Sequence, residues 1–200
     1  MRRVLLGWLV GVAAAVGVAA PVPKDFKRPT YFPTEVGCEW EYAHEGEKEA
    51  ALTVEITKVT AEGRGRVVRF DQTGGTKVRD YPERFRVNAE GVFLLSAANL
   101  ELDPPRLDLK AKPKADDAWN AAHAWNDSNY TLTTVVGAAE TVTVPAGTFT
   151  ALPHAQSYTN FQPPQVWTAW HAPGVGRVKF VNYEGRAYVL LKFTPGKEKK

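Results

Sequence analysis

The clearest pattern along this chain is an alternation of apolar and polar residues, which is the period of a β-strand with one buried face. In Glu49–Thr60, Leu52, Val54 and Ile56 share one face, and mostly polar residues occupy the other. Further strands are predicted at Arg66–Asp71, Lys77–Val87, Gly91–Ser96, Arg177–Asn182 and Ala187–Phe193, and the last two are predicted to form a hairpin around residues 183–186. Many short strands separated by turn residues predict a mainly β protein. We expect a single domain over residues 35–194, with a curved antiparallel sheet forming a half-barrel, barrel or sandwich and little helix.

The stretch Gln165–His171 also alternates, so Trp167 and Trp170 are predicted on opposite faces of one strand. The next residues, Pro173 and Gly174, suit the two central positions of a type II turn. His171 ends this strand, and the proline and glycine that follow it are explained by the backbone conformation of the turn. We expect no catalytic role for His171.

Two segments leave alternatives open. Asp116–Asn129 has the composition of a short helix, but a loop or a strand pair fits it equally well. Thr141–Phe149 reads as a hairpin around Pro145 and Gly147. The glycine favours a three-residue loop that pairs Val144 with Thr148, whereas a four-residue loop would give a more uniformly apolar face.

The chain begins with the features of a secretory signal peptide over residues 1–20. Arg2 and Arg3 precede an uncharged apolar stretch that ends in small residues, where cleavage after Ala19 is favoured over cleavage after Ala20, which would place Pro21 next. A retained membrane anchor is the alternative, but the stretch is short and weakly apolar. We therefore expect a secreted, periplasmic or cell-surface protein with no stable membrane span after cleavage. An extended proline-rich leader follows over residues 21–34, and residues 195–200 form a basic tail.

Charge and cysteine content narrow the possible partners. The net charge is only +3, and no basic patch typical of nucleic-acid binding is present in the sequence. Cys38 is the single cysteine, so an internal disulfide is excluded. An intermolecular disulfide through Cys38 remains open.

The sequence offers no recognisable catalytic or metal-binding motif. Its histidines (His44, His123, His154 and His171) are far apart and lack the spacing of a metal site. No serine lies in a nucleophile elbow, and the glycines near residue 175 are not followed by a helix that could bind a dinucleotide. We therefore predict a protein without catalytic residues, metal or cofactor.

The tryptophans are the strongest candidates for ligand contact. Trp167 and Trp170 cannot both face one core unless the sheet is covered on both sides. A large aromatic side chain that is left uncovered usually has a binding role, although a second layer could bury both of them. The predicted ligand-binding residues are Trp119, Trp125, Trp167 and Trp170.

Four stretches, in this order, resemble a family of secreted bacterial proteins of unknown function, the domain-of-unknown-function 3108-like family. They are YFPTEVGCEWEY (31–42), LDLKAKPKADDAW (107–119), VTVPAGTFTAL (142–152) and WHAPGVGRVK (170–179). The resemblance implies a mainly β periplasmic or cell-surface protein, broadly similar to the half-barrel lipoprotein carriers, with no catalytic residues. Cys38 and His171 depart from the family pattern, which commonly has a polar residue and a tyrosine there.

These observations lead to a functional expectation. We expect a non-enzymatic secreted protein that binds an apolar ligand, such as a lipid or a lipidated chain, or an envelope partner, in a groove lined by the sheet. A structural or adhesion module that uses its edge strands is the alternative. A hydrolase would require titratable groups that converge in a cleft, which a sequence cannot show.

Overall fold

Thirteen strands form one continuous antiparallel sheet in the computed structural model, which describes residues 30–74, 82–158 and 160–197. No helix occurs in these three segments, so none of the described residues forms a helix able to span a membrane. The predicted signal peptide and most of the leader lie outside the described residues, as does the start of the strand predicted at Lys77–Val87. The strands are β1 (Glu39–His44), β2 (Leu52–Glu62), β3 (Gly65–Gly74), β4 (Glu83–Val87), β5 (Gly91–Ala97), β6 (Leu100–Lys110), β7 (Ala118–Trp125), β8 (Ser128–Val136), β9 (Glu140–Val144), β10 (Gly147–Tyr158), β11 (Gln165–Ala172), β12 (Gly176–Val181) and β13 (Ala187–Thr194).

Twelve of these strands close into a barrel. The order runs from β11 through β12, β13 and β1 to β8 and then β10, and β10 also pairs with β11. The remaining strand, β9, pairs with the first half of β10 and lies outside the ring. The prediction of a mainly β protein with an antiparallel sheet is confirmed. Of the half-barrel, barrel and sandwich that the sequence allowed, the structure forms the barrel.

The helix-like segment Asp116–Asn129 forms the strand pair of β7 and β8. Trp119, Ala121 and His123 point to one face, opposite Thr134, Leu132 and Tyr130, respectively. The other side chains of β7, those of Ala118, Asn120, Ala122 and Ala124, lie on the outer face. The strand pair is therefore the correct alternative, because it puts the large side chains of both strands inside the barrel.

The predicted register of the β9–β10 hairpin is wrong. Val144 pairs with Gly147 and Thr143 with Thr148, which leaves Pro145 and Ala146 as a two-residue loop. This register puts Val142, Val144 and Phe149 on one buried face. Burial of a uniform apolar face outweighed the turn preference of the glycine.

The turn between β11 and β12 is the predicted type II turn. Gly174 has a φ of 77°, and the Val175 N–H donates to the Ala172 carbonyl at 3.3 Å. The Gly174 N–H also donates to the Thr30 carbonyl at 2.8 Å. This turn therefore also fixes the start of the described chain.

One end of the barrel, called the lower end here, is closed by residues 30–38. The Phe32 ring lies 5.2 Å from the Phe70 ring and 5.3 Å from the Phe85 ring, and Pro33 is fully buried. Cys38 is buried beside them and accepts a hydrogen bond from the Gly196 N–H at 3.1 Å. Burial raises the pKa of the Cys38 thiol to about 11, so this thiol is not activated.

The β9–β10 hairpin covers part of the outer face of the barrel. Trp170, Lys179, Val189 and Ala43 are cross-strand neighbours on that face. Val189 and Ala43 are nevertheless buried, because β9 packs against β12 and β13. The Ala146 N–H donates to a carbonyl of β13, that of Leu190, at 3.0 Å, which anchors the hairpin.

Candidate ligand site inside the barrel

The barrel places Trp167 and Trp170 on opposite faces of β11, as the alternation predicts. Trp167 points into the barrel, where its indole N–H donates to the side-chain carbonyl of Gln156. Trp170 points outward, where its indole N–H donates to the carboxylate of Glu140 on β9. Only Trp167 of this pair faces the interior.

Trp119 lies on the same inner row as Trp167. The row runs from Trp119 through Thr134 and Gln156 to Trp167 across four neighbouring strands. Here β6 and β7 share only one registered pair, Asp103 with Ala124, and the Trp119 indole N–H donates to the Leu107 carbonyl at 3.0 Å. Trp119 therefore fills the seam between these two strands.

Trp125 belongs to a group of rings near the opposite, upper end of the barrel. We call this group the aromatic cluster: Trp125, Tyr130, Tyr158, Phe161 and Trp167. The ring centroids of its successive pairs lie 5.2–6.3 Å apart. The structure thus brings Trp125 and Trp167 together through two tyrosines, neither of which was predicted as a site residue.

The aromatic cluster is not sealed. All five of its side chains keep part of their surface exposed, although four of them lie on inward-facing strand positions. The indole N–H of Trp125 is buried and has no hydrogen-bond partner among the described residues. A buried donor that the protein leaves unpaired is costly, so it marks a place where a bound molecule can contribute an acceptor.

Polar side chains cross the interior directly below the aromatic cluster. Arg106 makes a two-pronged ion pair with Asp108, with Nε–Oδ1 at 2.6 Å, and also donates to the Tyr158 hydroxyl. The Gln156 amide donates weakly to the Asp108 carbonyl at 3.4 Å. Burial raises the pKa of Tyr158, and burial together with the Arg106 charge lowers the pKa of His123, so both are neutral at pH 7.

Two further charged groups, Glu83 on β4 and Arg177 on β12, face the interior from other strands. The Gln72 amide donates to the Glu83 carboxylate at 2.9 Å, and burial raises the pKa of that carboxyl. The Arg177 guanidinium lies 4.2 Å from the centre of the Phe180 ring and 5.4 Å from that of the Tyr42 ring. We call Gln72, Glu83, Arg106, Asp108, Gln156 and Arg177 the polar belt.

His171 lies next to His154, another inward-facing histidine. Their Nδ1 atoms are 3.3 Å apart, and the Nδ1 of His154 also lies 3.1 Å from the Leu152 carbonyl. Burial lowers the pKa of both, to about 4 for His154, so the pair is neutral at pH 7. Within the described segments, no three His, Cys, Asp or Glu side chains are grouped so that they could hold a metal ion.

Sequence reasoning predicted the four tryptophans as site residues but did not predict the polar belt. Charged residues at alternating strand positions normally indicate a solvated face, and nothing local distinguishes Arg106 or Arg177 from such residues. The one available signal was the position of Arg177, which follows a turn and shares its predicted hairpin with aromatic residues.

Comparison with known proteins supports the fold and adds no activity. No protein-family model matches the chain and no curated protein matches it, so the resemblance to the 3108-like family stays a prediction. Two solved structures are similar in fold, each with a TM-score of 0.50. One is described as an exported protein with a YmcC-like fold from Bacteroides fragilis, at 14% identity over 83% of this chain and 99% of that one. The other is described as a lipoprotein from Parabacteroides distasonis, at 16% identity over 84% of this chain and 100% of that one.

Proposed function

We propose that this protein is a non-enzymatic β-barrel, located outside the cytoplasm, that binds an apolar ligand against the aromatic cluster. Trp125 and Trp167 would contact the ligand, and Trp119 would line the seam beside it. Trp170 is left out of the proposed site because it faces outward and is held by Glu140. The sequence features of a signal peptide, together with the exported protein and the lipoprotein of similar fold, support the location.

The main support for this proposal is that inward-facing aromatic side chains remain partly exposed within a closed barrel. A barrel whose interior served only as a core would bury these rings, as the lower half does with Trp40, Ile56 and Val68. Partly exposed aromatic rings beside a few fixed polar groups are typical of small-molecule sites.

The tryptophan pair on β11 provides a matched test. The neutral fluorescent probe N-phenyl-1-naphthylamine should bind the wild-type protein, and the Trp170→Ala variant should bind it equally well. Trp167→Ala should weaken binding about tenfold, because a large aromatic contact inside the site is lost. Failure of the wild type to bind the probe, or equal weakening by both substitutions, contradicts the proposal.

Native mass spectrometry of the mature protein from its own host identifies the natural ligand. A bound small molecule of reproducible mass supports the proposal. A bare protein in repeated preparations favours the alternative of a structural or adhesion module. For that alternative, β9 is the relevant element, since its outer edge is unpaired with any described strand.

A further inference from the structure

The polar belt holds two arginines, and only one of them is neutralised. Arg106 is held on both prongs by Asp108 and also donates to Tyr158. The Asp108 charge offsets the effect of burial and raises the pKa of Arg106, as expected for a cation already engaged by its partner. Arg106 therefore has little capacity left for a ligand.

Arg177 differs because no carboxylate of the described segments lies within ion-pair distance of its guanidinium. It packs against the rings of Phe180 and Tyr42, and among the described residues the Tyr42 hydroxyl is the side-chain group that interacts with its guanidinium. Its side chain extends from the second residue of β12 towards Phe180, three residues nearer the upper end. A guanidinium has five N–H donors, so most of them are left for a partner inside the barrel.

Glu83, the acid of the polar belt on which the Arg177 charge acts, does not fill that role. Glu83 lies on β4, five strands around the ring from β12, and its carboxylate accepts from Gln72 instead. The Arg177 charge acts against the effect of burial on the pKa of Glu83, yet the two groups form no ion pair among the described residues. The two histidines nearest Arg177, His171 and His154, have lowered pKa values and are neutral at pH 7, so they add no competing charge.

The packing around Arg177 determines the direction in which the apolar chain of a bound ligand can extend. Below Arg177 the barrel is packed, with Trp40, Val178 and Leu190 all buried and Phe32 closing the lower end. Above it lies the partly exposed aromatic cluster. An apolar chain can therefore extend only upward from the guanidinium.

Resting on the proposed function, we infer that the ligand of this barrel is a single-chain amphiphile whose anionic group is bound by the Arg177 guanidinium while its chain lies along the aromatic cluster. The anionic group is a carboxylate or a phosphate, since both match the planar fork of a guanidinium. The binding mode places the charged group deep in the barrel and the chain towards the upper end.

Isothermal titration with three ligands of equal chain length tests this inference. Dodecanoate and dodecyl phosphate carry the anion, and dodecanol lacks it. The wild type should bind at least one anionic ligand about tenfold more tightly than dodecanol, because a charge-assisted hydrogen bond is gained in the interior. The anionic ligand that binds more tightly distinguishes a fatty acid from a single-chain phosphate ester.

Substitutions of Arg177 test whether this residue causes the preference for the anionic ligands. Arg177→Gln should abolish the preference for the anion while dodecanol binding persists, and Arg177→Lys should retain part of the preference. Arg186→Gln, in the exposed β12–β13 turn, serves as the matched control and should behave as wild type. Near-ultraviolet circular dichroism checks folding, and the wild-type comparison decides the main point even if Arg177→Gln fails to fold.

The results distinguish failure of the anionic-ligand inference from failure of the proposed function. Equal binding of dodecanol and both anions, or a preference that survives Arg177→Gln, overturns the anionic-ligand inference but leaves the proposed function standing. Failure of the wild type to bind any of the three ligands or N-phenyl-1-naphthylamine overturns both.

Discussion

Trp167 and Trp170 lie three residues apart on β11, and their indole N–H groups donate on opposite sides of the barrel wall, one to Gln156 inside and one to Glu140 outside. The inner bond ties β11 to the polar belt, and the outer bond ties it to the extra strand β9. Lys179, with its ammonium 5.7 Å from the Trp170 ring, adds to the outer contact. One strand therefore holds both the candidate site and the covering hairpin, through two side chains that can be changed independently.

Removing the outer bond should loosen the hairpin without disturbing the barrel. In Trp170→Phe the ring is kept but the donor to Glu140 is lost, at a cost of about 1 kcal/mol in the free energy of unfolding. Hydrogen–deuterium exchange should become faster in residues 140–151, where β9 pairs with β10, and stay unchanged in β2 and β3.

A neighbouring outward-facing residue gives the control for that experiment. Val166 lies on the same face of β11, is 49% exposed, and pairs with Ser157, which lies beyond the part of β10 that pairs with β9. Val166→Ala should leave exchange in residues 140–151 unchanged. Faster exchange throughout the barrel in Trp170→Phe would show that the bond supports the whole fold.

The elements that followed from the sequence are those whose cause is local. The alternation in β11, the type II turn at Pro173 and Gly174, and the β12–β13 hairpin depend on side-chain period and on backbone torsion, both of which residue types reveal. The structure confirms all three.

The missed features depend on partners that are distant in sequence. Leu107 and Leu109 alternate as if they shared a buried face, but a register shift opposite Val92 and Phe93 leaves only Leu109 well buried and turns Arg106 inward. The hairpin at Pro145 was mispredicted for the same reason, because its register is set by burial against β12 and β13. Without knowledge of the closing pair β10–β11, no pattern in the sequence shows which charged residues lie inside a barrel.

Phe32 should contribute strongly to stability although it lies in the predicted leader. Its ring packs against Phe70 and Phe85 at the lower end, so Phe32→Ala removes two aromatic contacts and exposes the core. We expect a loss of about 2 kcal/mol in urea-induced unfolding, with Tyr183→Ala, an exposed residue, costing less than about 0.5 kcal/mol. Equal costs for the two substitutions would show that the leader is not part of the core.

Gly174 should be sensitive to its side chain through backbone geometry. Its φ of 77° is unfavourable for alanine and less so for asparagine. Gly174→Ala should lower the free energy of unfolding by about 1 kcal/mol, and Gly174→Asn should lower it less. The same order is expected for thermal midpoints measured by circular dichroism. A larger loss for asparagine would indicate that side-chain volume, and not φ, limits this position.

The histidine pair should make the protein less stable in acid. Burial lowers the pKa of His154 from 6.5 in the unfolded chain to about 4 in the folded one, so the unfolded state binds the proton more readily. The stabilisation from neutral His154 is therefore complete above pH 6.5 and is lost as pH falls towards 4, by a total of roughly 3 kcal/mol. Denaturant unfolding at half-unit pH steps should show this decline, and His154→Leu should flatten it.

Glu83 should have the opposite effect on the pH dependence of stability. Burial raises the pKa of this carboxyl, so the folded state takes up its proton before the unfolded state does, and acidification through that range favours folding. In wild type this gain offsets part of the loss at His154. In Glu83→Gln the gain is absent, so the decline in stability below pH 6.5 should be steeper than in wild type, whereas in His154→Leu it should be shallower. If both variants changed the slope of stability against pH in the same direction, the prediction would be wrong. The barrel interior would then stabilise the charged form of one of the two groups.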